Sequence, residues 1–297
     1  MSPFLRAFAS PKRKRYAPAV FAPRRVAELD VSAASGLVAT PDALWVIADD
    51  ELFLSAYSYD GRPLQRVALW PGELPAEHAE RKRRKPDLEA LTLLPDGRLL
   101  ALGSGSTAAR SRGALVEPRE LRVQRLDLSA LHAALRARIP ELNLEGAAVV
   151  GERLWLAQRG NGVSHFNACI ELDLESVLAQ LDAAATLGAQ GLRGIHPLAL
   201  GELEGVALSL TDLAAHPDGG LLFTAAAEAS ADTYADGRCT GSVVGALSER
   251  GELRAILPVQ ASCKLEGIAV ADRELWLVSD PDDRAKHAEL FRAPLCL

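Results

Sequence analysis

The stretch Asn143-Leu144-Glu145-Gly146-Ala147-Ala148-Val149-Val150 begins a pattern that recurs along this 297-residue chain. It runs through a short polar turn into a second apolar segment, Leu154-Trp155-Leu156-Ala157, which ends in the polar residues Gln158-Arg159-Gly160-Asn161. The same opening occurs as Asp87-Leu88-Glu89-Ala90 and as Lys264-Leu265-Glu266-Gly267. Short apolar runs bounded by turn residues are typical of β-strands, so each copy predicts a pair of strands.

Two further units fit the same frame without a glutamate at its centre. In the first unit Ser35 precedes Gly36 and an apolar run. In the fourth, two starts compete, and the turn Pro217-Asp218-Gly219 aligned with Pro95-Asp96-Gly97 selects Thr211 and leaves Glu204 in the preceding connection. The equivalent positions are Ser35, Glu89, Glu145, Thr211 and Glu266, which are 54, 56, 66 and 55 residues apart. Five such units favour a β-propeller of five blades.

Each unit contains about four strands, but the fifth ends after its third strand, at residues 289–293. An early strand at residues 25–30 has no partner in the first unit. We therefore predict an all-β, five-bladed β-propeller in which this N-terminal strand completes the last blade and closes the ring. The predicted domain covers residues 25–297, and residues 1–24 are an N-terminal tail. A sheet sandwich is the structural alternative.

The composition excludes several classes of function. Hydrophobic residues make up 48% of the chain, and no run approaches the roughly 18 apolar residues of a membrane span. The net charge of −6 argues against nucleic acid, whose phosphates select basic surfaces. We therefore expect a small-molecule ligand or substrate as the partner, and neither a nucleic acid nor a membrane.

Local composition adds three smaller expectations. The N-terminal residues contain no apolar run typical of a secretory signal, which predicts a cytoplasmic protein. Two basic clusters, residues 12–15 and 81–85, are interpreted as a solvated tail and a solvated loop. Four cysteines are too few for a disulfide framework, although Cys239 and Cys263 could meet if their loops are adjacent.

The two ends of the predicted propeller differ. Turns between first and second strands are short and interchangeable, whereas the loops after the second strands are longer and rich in polar side chains. Because the inner strands start at the same end as these loops, we predict the functional site there, at the mouth of the central channel. The predicted mouth residues are Ser35, Asp50, Asp87, Ser104, Gln158, Arg159, Asn161, Thr211, Lys264 and Asp280.

Glu89, Glu145 and Glu266 lie in otherwise apolar inner strands. Burying an ionised carboxylate costs several kcal/mol unless it is compensated, and neighbouring carboxylates raise one another's pKa values. The three glutamates therefore imply a shared divalent cation or a ring of donors. With Asn143 nearby, oxygen ligands favour calcium, or magnesium, over zinc. Alternatively, each glutamate bonds backbone N–H groups or pairs with a cation such as Lys264, and only joins neighbouring blades.

Candidate catalytic groups are few. Asp212 or Glu228 could position a water molecule, while His165 and His287 lie in loops of the predicted functional end and are possible bases. No Gly-x-Ser-x-Gly nucleophile elbow occurs in a strand–turn–helix context. The sequence favours a calcium-dependent hydrolase of esters, lactones or phosphoesters. The alternative is a non-catalytic propeller that binds a ligand or a protein.

These motifs also resemble those of known propellers. Leu-Glu-Gly at 144–146 and 265–267, the loop Gln158-Arg159-Gly160-Asn161, and Leu210-Thr211-Asp212 followed by Pro217-Asp218-Gly219 resemble a group of uncharacterised bacterial β-propellers, similar to the SdiA-regulated and phytase-like esterase propellers. More distantly, the chain resembles propellers of the gluconolactonase and paraoxonase type, which hold calcium in the channel. That resemblance implies calcium-binding roles for Glu145, Asn143 and Asp212.

Overall fold

The strands form five antiparallel sheets, each of which is one blade of a β-propeller. The computed structural model describes residues 21–228, 239–260 and 263–297. The described chain begins with β1 (Arg24–Glu28). Blade one then contains β2 (Ala34–Thr40), β3 (Ala43–Ala48), β4 (Phe53–Tyr57) and β5 (Pro63–Ala68). The predicted five-bladed, all-β architecture is confirmed.

Blade two is framed by two short helices. Helix α1 (His78–Arg84) precedes it, and helix α2 (Ser129–Arg136) leads to blade three. Its strands are β6 (Leu88–Leu93), β7 (Leu99–Gly103), β8 (Arg112–Glu117) and β9 (Arg122–Asp127). A 3₁₀ turn, Ala108–Arg110, lies between β7 and β8.

Blade three carries a helix between its outer strands. Its strands are β10 (Leu144–Val150), β11 (Arg153–Gln158), β12 (Asn167–Asp173) and β13 (Leu192–Leu198), with helix α3 (Leu174–Ala183) after β12. The apolar residues of α2 and α3 are spaced four apart, as in Leu131 and Leu135, so each helix has one buried face. Both helices pack into the apolar cluster shared by blades two and three.

Blades four and five complete the ring. Blade four contains β14 (Glu202–Leu203), β15 (Val206–Ala215), β16 (Leu221–Glu228), β17 (Cys239–Leu247) and β18 (Leu253–Pro258). Blade five contains β19 (Lys264–Ala271), β20 (Glu274–Asp280) and β21 (Glu289–Pro294). Strand β1 pairs antiparallel with β21 and supplies the fourth strand, as the sequence predicts. None of the helices in the described ranges is long and apolar enough to cross a membrane.

Each inner strand contains a β-bulge at the centre of the repeat. The residues skipped in the pairing with the second strand are Ser35, Glu89, Glu145, Thr211 and Glu266. A bulge interrupts the regular alternation and re-aims the side chain of the extra residue. The alignment that selected Thr211 is confirmed, because Glu204 lies in the turn between β14 and β15.

The residue after the bulge lies against the next blade. A Cβ added to Gly146 would lie 2.6 Å from the backbone nitrogen of Leu213, and one added to Gly267 would lie 3.2 Å from that of Leu37. Neighbouring inner strands therefore approach closely at these two positions, where a side chain would clash. This packing explains why glycine follows glutamate in the third and fifth repeats.

Candidate functional site

The starts of the inner strands and the ends of the second strands meet at one end of the channel, as predicted. Leu144 pairs with Gln158, and Lys264 pairs with Asp280. We call this end of the propeller the mouth. Two groups of buried charged residues occupy it, and they differ in how their carboxylates are paired.

The first group, the Arg159 cluster, consists of Arg159, Lys264, Glu145, Glu228 and Glu266. Nη1 of Arg159 lies 3.2 Å from Oε2 of Glu145 and 3.5 Å from Oε1 of Glu266. Nη2 lies 2.6 Å from Oε2 of Glu228. The planar guanidinium thus joins carboxylates from blades three, four and five, a task suited to its fixed array of donors.

Lys264 supplies the second cation of this cluster. Its Nζ atom lies 3.1 Å from Oε1 of Glu228 and 3.0 Å from Oε1 of Glu266. It also lies 2.9 Å from Oδ1 of Asp282 and 3.6 Å from Oδ2 of Asp280. Burial opposes ionisation of Glu228, but the charges of Arg159 and Lys264 outweigh it and lower the pKa of that carboxyl.

Glu145 is oriented by a second set of polar contacts. The side-chain amide of Asn143 donates to Oε1 of Glu145 at 2.6 Å and approaches Oδ1 of Asn161 at 3.4 Å. Gln158 accepts the backbone N–H of Asn143 at 2.9 Å and thereby fixes the start of β10. Burial raises the pKa of Glu145 to about 8, although the charge of Arg159 opposes that rise.

The second group, the Glu89 cluster, consists of Asp49, Asp87, Glu89 and Lys85. One oxygen from each of the three carboxylates lies within 4.8 Å of the others. Nζ of Lys85 lies 3.0 Å from Oδ1 of Asp87 and also contacts Oδ2 of Asp49. Oδ2 of Asp87 accepts from the Ser104 hydroxyl at 2.5 Å and pairs with Arg110 at 2.9 Å.

Glu89 is the exception among these carboxylates. Only 9% of the residue is exposed, yet within the described ranges its carboxylate has neither a hydrogen bond nor a cation within 4.0 Å. Burial, followed by the negative charges of Glu145, Asp49 and Asp87, raises the pKa of Glu89 well above its usual range. A buried carboxylate in this condition is expected to bind a proton or a cation.

The basic segment 81–85 is predicted to be a solvated loop. This prediction is wrong for Arg81 and Lys85. Arg81 and Lys85 are one helical turn apart, and both are directed inwards from α1. Nη2 of Arg81 lies 3.4 Å from Oδ2 of Asp50 and also donates to the carbonyl oxygen of Asp50. Arg284 approaches the same carboxylate at 3.4 Å. The segment therefore carries counter-charges for the mouth.

Three predicted site residues hold neighbouring blades together. The Ser35 hydroxyl donates to the carbonyl of Leu88 at 2.7 Å, and the Thr211 hydroxyl donates to that of Leu265 at 2.7 Å. Asp212 is fully buried, and its two oxygens accept the N–H groups of Leu213 at 2.7 Å and Ile268 at 2.9 Å. Both Asp212 oxygens are thus engaged with the backbone.

The predicted histidine bases lie apart from the two clusters. His165 and His287 are exposed, and neither ring hydrogen-bonds to a mouth carboxylate in the part of the chain described. Cys239 and Cys263 are both free thiols. Most of the polar loop that follows Glu228, like the basic residues 12–15, lies outside the described residues.

Sequence reasoning missed Lys85, Arg110 and Asp282. A signal for part of the network was present, because Asp87, Asn143 and Lys264 each lie two residues before a bulge glutamate and all three reach the mouth. Lys85 precedes Asp87 by two residues but was grouped with the solvated basic run. Nothing in the spacing indicates that Arg110 approaches Asp87.

The fold and the mouth define the class of this protein: a five-bladed β-propeller whose channel mouth holds buried carboxylates and a smaller number of cations. The sequence pattern of the family of unknown function DUF6929 matches residues 30–295. The chain belongs to that family. A search of curated proteins gives no match.

Several solved structures match this chain over most of its length. Glutaminyl cyclase from Myxococcus xanthus is 13% identical, with 93% of this chain and 98% of that chain covered and a TM-score of 0.53. A protein from Parabacteroides distasonis assigned to the glycoside hydrolases is 10% identical, with 96% of each chain covered and a TM-score of 0.52. A protein assigned to the gluconolactonases is 12% identical, covers 93% and 94%, and has a TM-score of 0.44. At such low identities the first two matches show the fold alone.

Proposed function

We propose that the mouth binds a divalent cation, calcium, through Asp49, Asp87 and Glu89, and that the bound cation serves the hydrolysis of a small ester, lactone or phosphoester. The observation that carries this proposal is that Glu89 is buried beside two other carboxylates and has no hydrogen bond or ion pair with any described residue. A divalent cation at this position would compensate the negative charge of Glu89, which Lys85 does not contact. The phytase-like and gluconolactonase-like motifs of the sequence favour the same reaction classes.

The available donors suit calcium or magnesium. All three candidate ligands are carboxylates, and hard cations prefer oxygen ligands, whereas zinc sites usually include histidine or cysteine. The proposed set keeps Glu89 from the sequence prediction but replaces Asn143, Glu145 and Glu266. The side-chain amide of Asn143 donates to Glu145. Glu145 and Glu266 are paired instead with a cation of the chain. Those two carboxylates already contact the guanidinium of Arg159, which occupies the place of a shared cation.

The chain also offers a proton donor next to this position. When bound, calcium polarises the carbonyl or phosphoryl oxygen of the substrate. Burial raises the pKa of Glu145 to about 8 against the opposing charge of Arg159, so this carboxyl can hold a proton near neutral pH and give it to the leaving oxygen. Asn143 orients the Glu145 carboxyl, and Arg159 stabilises the carboxylate left behind. The attacking water loses a proton as its oxygen joins the substrate, and that proton restores Glu145.

Calcium titration tests the binding half of this proposal. Isothermal titration calorimetry of the unaltered protein should show binding that is lost in Glu89→Gln and retained in Glu252→Gln. Glu252 is an exposed glutamate in the turn before β18, at the opposite end of the propeller, so its substitution is a matched control. Absence of binding in the unaltered protein at millimolar calcium would refute the site.

An activity panel tests the catalytic half. Purified protein would be assayed with aryl esters, lactones and phosphoesters, with calcium and with excess chelator. We expect turnover that requires calcium and that is lost in both Glu89→Gln and Glu145→Gln. Calcium binding without turnover of any substrate class would instead support a binding function.

A non-catalytic binding propeller is the second candidate, and a specific observation favours it. Among the described residues of the two clusters and their direct ion-pair partners, there are eight carboxylates and four cations. The carboxylates are Asp49, Asp87, Glu89, Glu145, Glu228, Glu266, Asp280 and Asp282, and the cations are Lys85, Arg110, Arg159 and Lys264. This excess suits a small cationic ligand. A thermal-shift screen that compares matched amines and carboxylic acids would test it, since only amines should raise the melting temperature.

A further inference from the structure

Lys85 already holds a positive charge within the Glu89 cluster. Its ammonium contacts Asp49 and lies 3.0 Å from Asp87, and its side chain is only 12% exposed. Two of the three carboxylates in the group are therefore paired with the chain's own cation, whereas Glu89 is not.

The local backbone fixes where this ammonium lies. Lys85 caps the C-terminus of α1, and its N–H donates to the carbonyl of Arg81 at 2.8 Å. Arg81, one turn earlier, is anchored on Asp50. After Pro86, which cannot continue the helix hydrogen bonds, Asp87 adopts a left-handed φ of 58°, a conformation that costs energy outside glycine. The lysine and its aspartate partner are thus held on the same short connection.

We propose that Lys85 is an internal counter-ion that competes with the divalent cation for Asp49 and Asp87. This inference rests on the proposed metal site. The site fills only when the ammonium leaves these two carboxylates, so Lys85 lowers the affinity for every cation. A monovalent ion merely replaces the charge of the ammonium. A divalent ion also brings a second positive charge, which attracts the Glu89 carboxylate. The competition with Lys85 therefore favours divalent over monovalent ions.

Calcium titration of charge variants tests this competition. Lys85→Met removes the ammonium but keeps most of the apolar stem, and Arg83→Met removes an exposed charge from the same helix as a control. Lys85→Met should bind calcium about 10-fold or more tightly than the unaltered protein, a difference of about 1.4 kcal/mol. Its melting temperature should fall without calcium and rise more steeply with it. Arg83→Met should match the unaltered protein.

The outcomes separate this inference from the proposed function. If the unaltered protein and Lys85→Met bind calcium equally, the competition is overturned while the metal site stands. If none of the three proteins binds calcium, the site and the competition both fail. Binding by Lys85→Met alone would support the competition but would overturn the proposed function, because the ammonium would then exclude calcium from the unaltered protein.

The competition can also be tested on the unaltered protein, so that the result does not depend on whether a variant folds. Acetic anhydride acetylates accessible amines, and mass spectrometry can follow Lys85 and Lys264 separately. Calcium should increase the acetylation rate of Lys85, because its ammonium is displaced, and should leave that of Lys264 unchanged. An unchanged or reduced rate at Lys85 in calcium-loaded protein would overturn the competition.

Discussion

Glu145 and Glu89 occupy the same position of consecutive repeats, yet their surroundings are opposite. Both are bulge residues of inner strands and both are buried. Glu145 contacts the guanidinium of Arg159 and the amide of Asn143, whereas Glu89 has no such contact and lies beside Asp49 and Asp87. The repeat therefore fixes where a carboxylate emerges, and the neighbouring loops decide whether it is structural or available to a ligand.

The loop after the second strand makes this difference. In blade three that loop supplies Arg159, while the corresponding loop in blade two supplies Ser104, which bonds to Asp87 rather than to Glu89. Ser35 and Thr211, which occupy the bulge in blades one and four, differ from both glutamates. Their short hydroxyls reach only the carbonyl of the next blade. Side-chain length and the adjacent loop thus separate the roles of five equivalent positions.

The largest expected effect comes from breaking the paired cluster. Arg159→Met leaves Glu145, Glu228 and Glu266 without their shared partner, and we expect the free energy of unfolding to fall by about 3–5 kcal/mol. Urea unfolding monitored by tryptophan fluorescence measures this change. Arg153→Met is the control, since its ion pair is partly exposed and should contribute less than about 1 kcal/mol. Equal effects of the two substitutions would contradict the buried-network description.

The protonation of Glu145 gives the next effect. The ordinary pKa of 4.5 is raised to about 8 in the folded protein, so the folded state holds this proton more tightly than the unfolded chain does. The stabilisation is complete below about pH 4.5 and is lost as the pH rises through about 8. The free energy of unfolding should therefore decrease by about 2 kcal/mol between about pH 6.5 and pH 8.5, and level off above that range.

Urea titrations at several pH values measure this slope, with Glu145→Gln as the comparison. The substitution should flatten the slope over the same window. The buried His132, whose pKa burial lowers to about 4, does not interfere because its contribution changes only below its ordinary value of 6.5. A slope that persists unchanged in Glu145→Gln would assign the titration to another group.

The hydroxyl bulges should have a smaller, purely structural effect. Thr211→Val keeps the shape of the side chain but leaves the buried carbonyl of Leu265 without its donor. We expect a loss of about 1–2 kcal/mol in the free energy of unfolding, with calcium affinity unchanged. A change in calcium binding would show that Thr211 belongs to the ligand site.

The smallest expected effect has the opposite sign. Glu89→Gln removes one of several mutually repelling carboxylates and should raise the free energy of unfolding by about 1 kcal/mol in calcium-free buffer. Glu266→Gln should lower it by a similar amount, because Arg159 and Lys264 both lose a partner. Changes of the same sign at the two positions would remove the distinction between the clusters.

Much of the site could be anticipated from the repeat, but the roles could not. Asp212 illustrates the limit: its sequence position favours a water-positioning group, whereas in the structure its two oxygens accept backbone N–H groups. Lys85 illustrates the converse, since a basic run in the sequence becomes a buried partner of Asp49 and Asp87. In both cases the deciding contacts come from other parts of the chain.

The sequence by itself determined the five repeats, the strand that closes the ring and the five equivalent positions at the centre of the repeats, because apolar periodicity and turn residues are local properties. Only the tertiary structure decided which carboxylates are paired. Arg159 meets Glu228 across 69 residues, and Lys85 meets Asp49 across 36. Such pairings depend on how the blades and loops pack around one axis, and no local pattern encodes that arrangement.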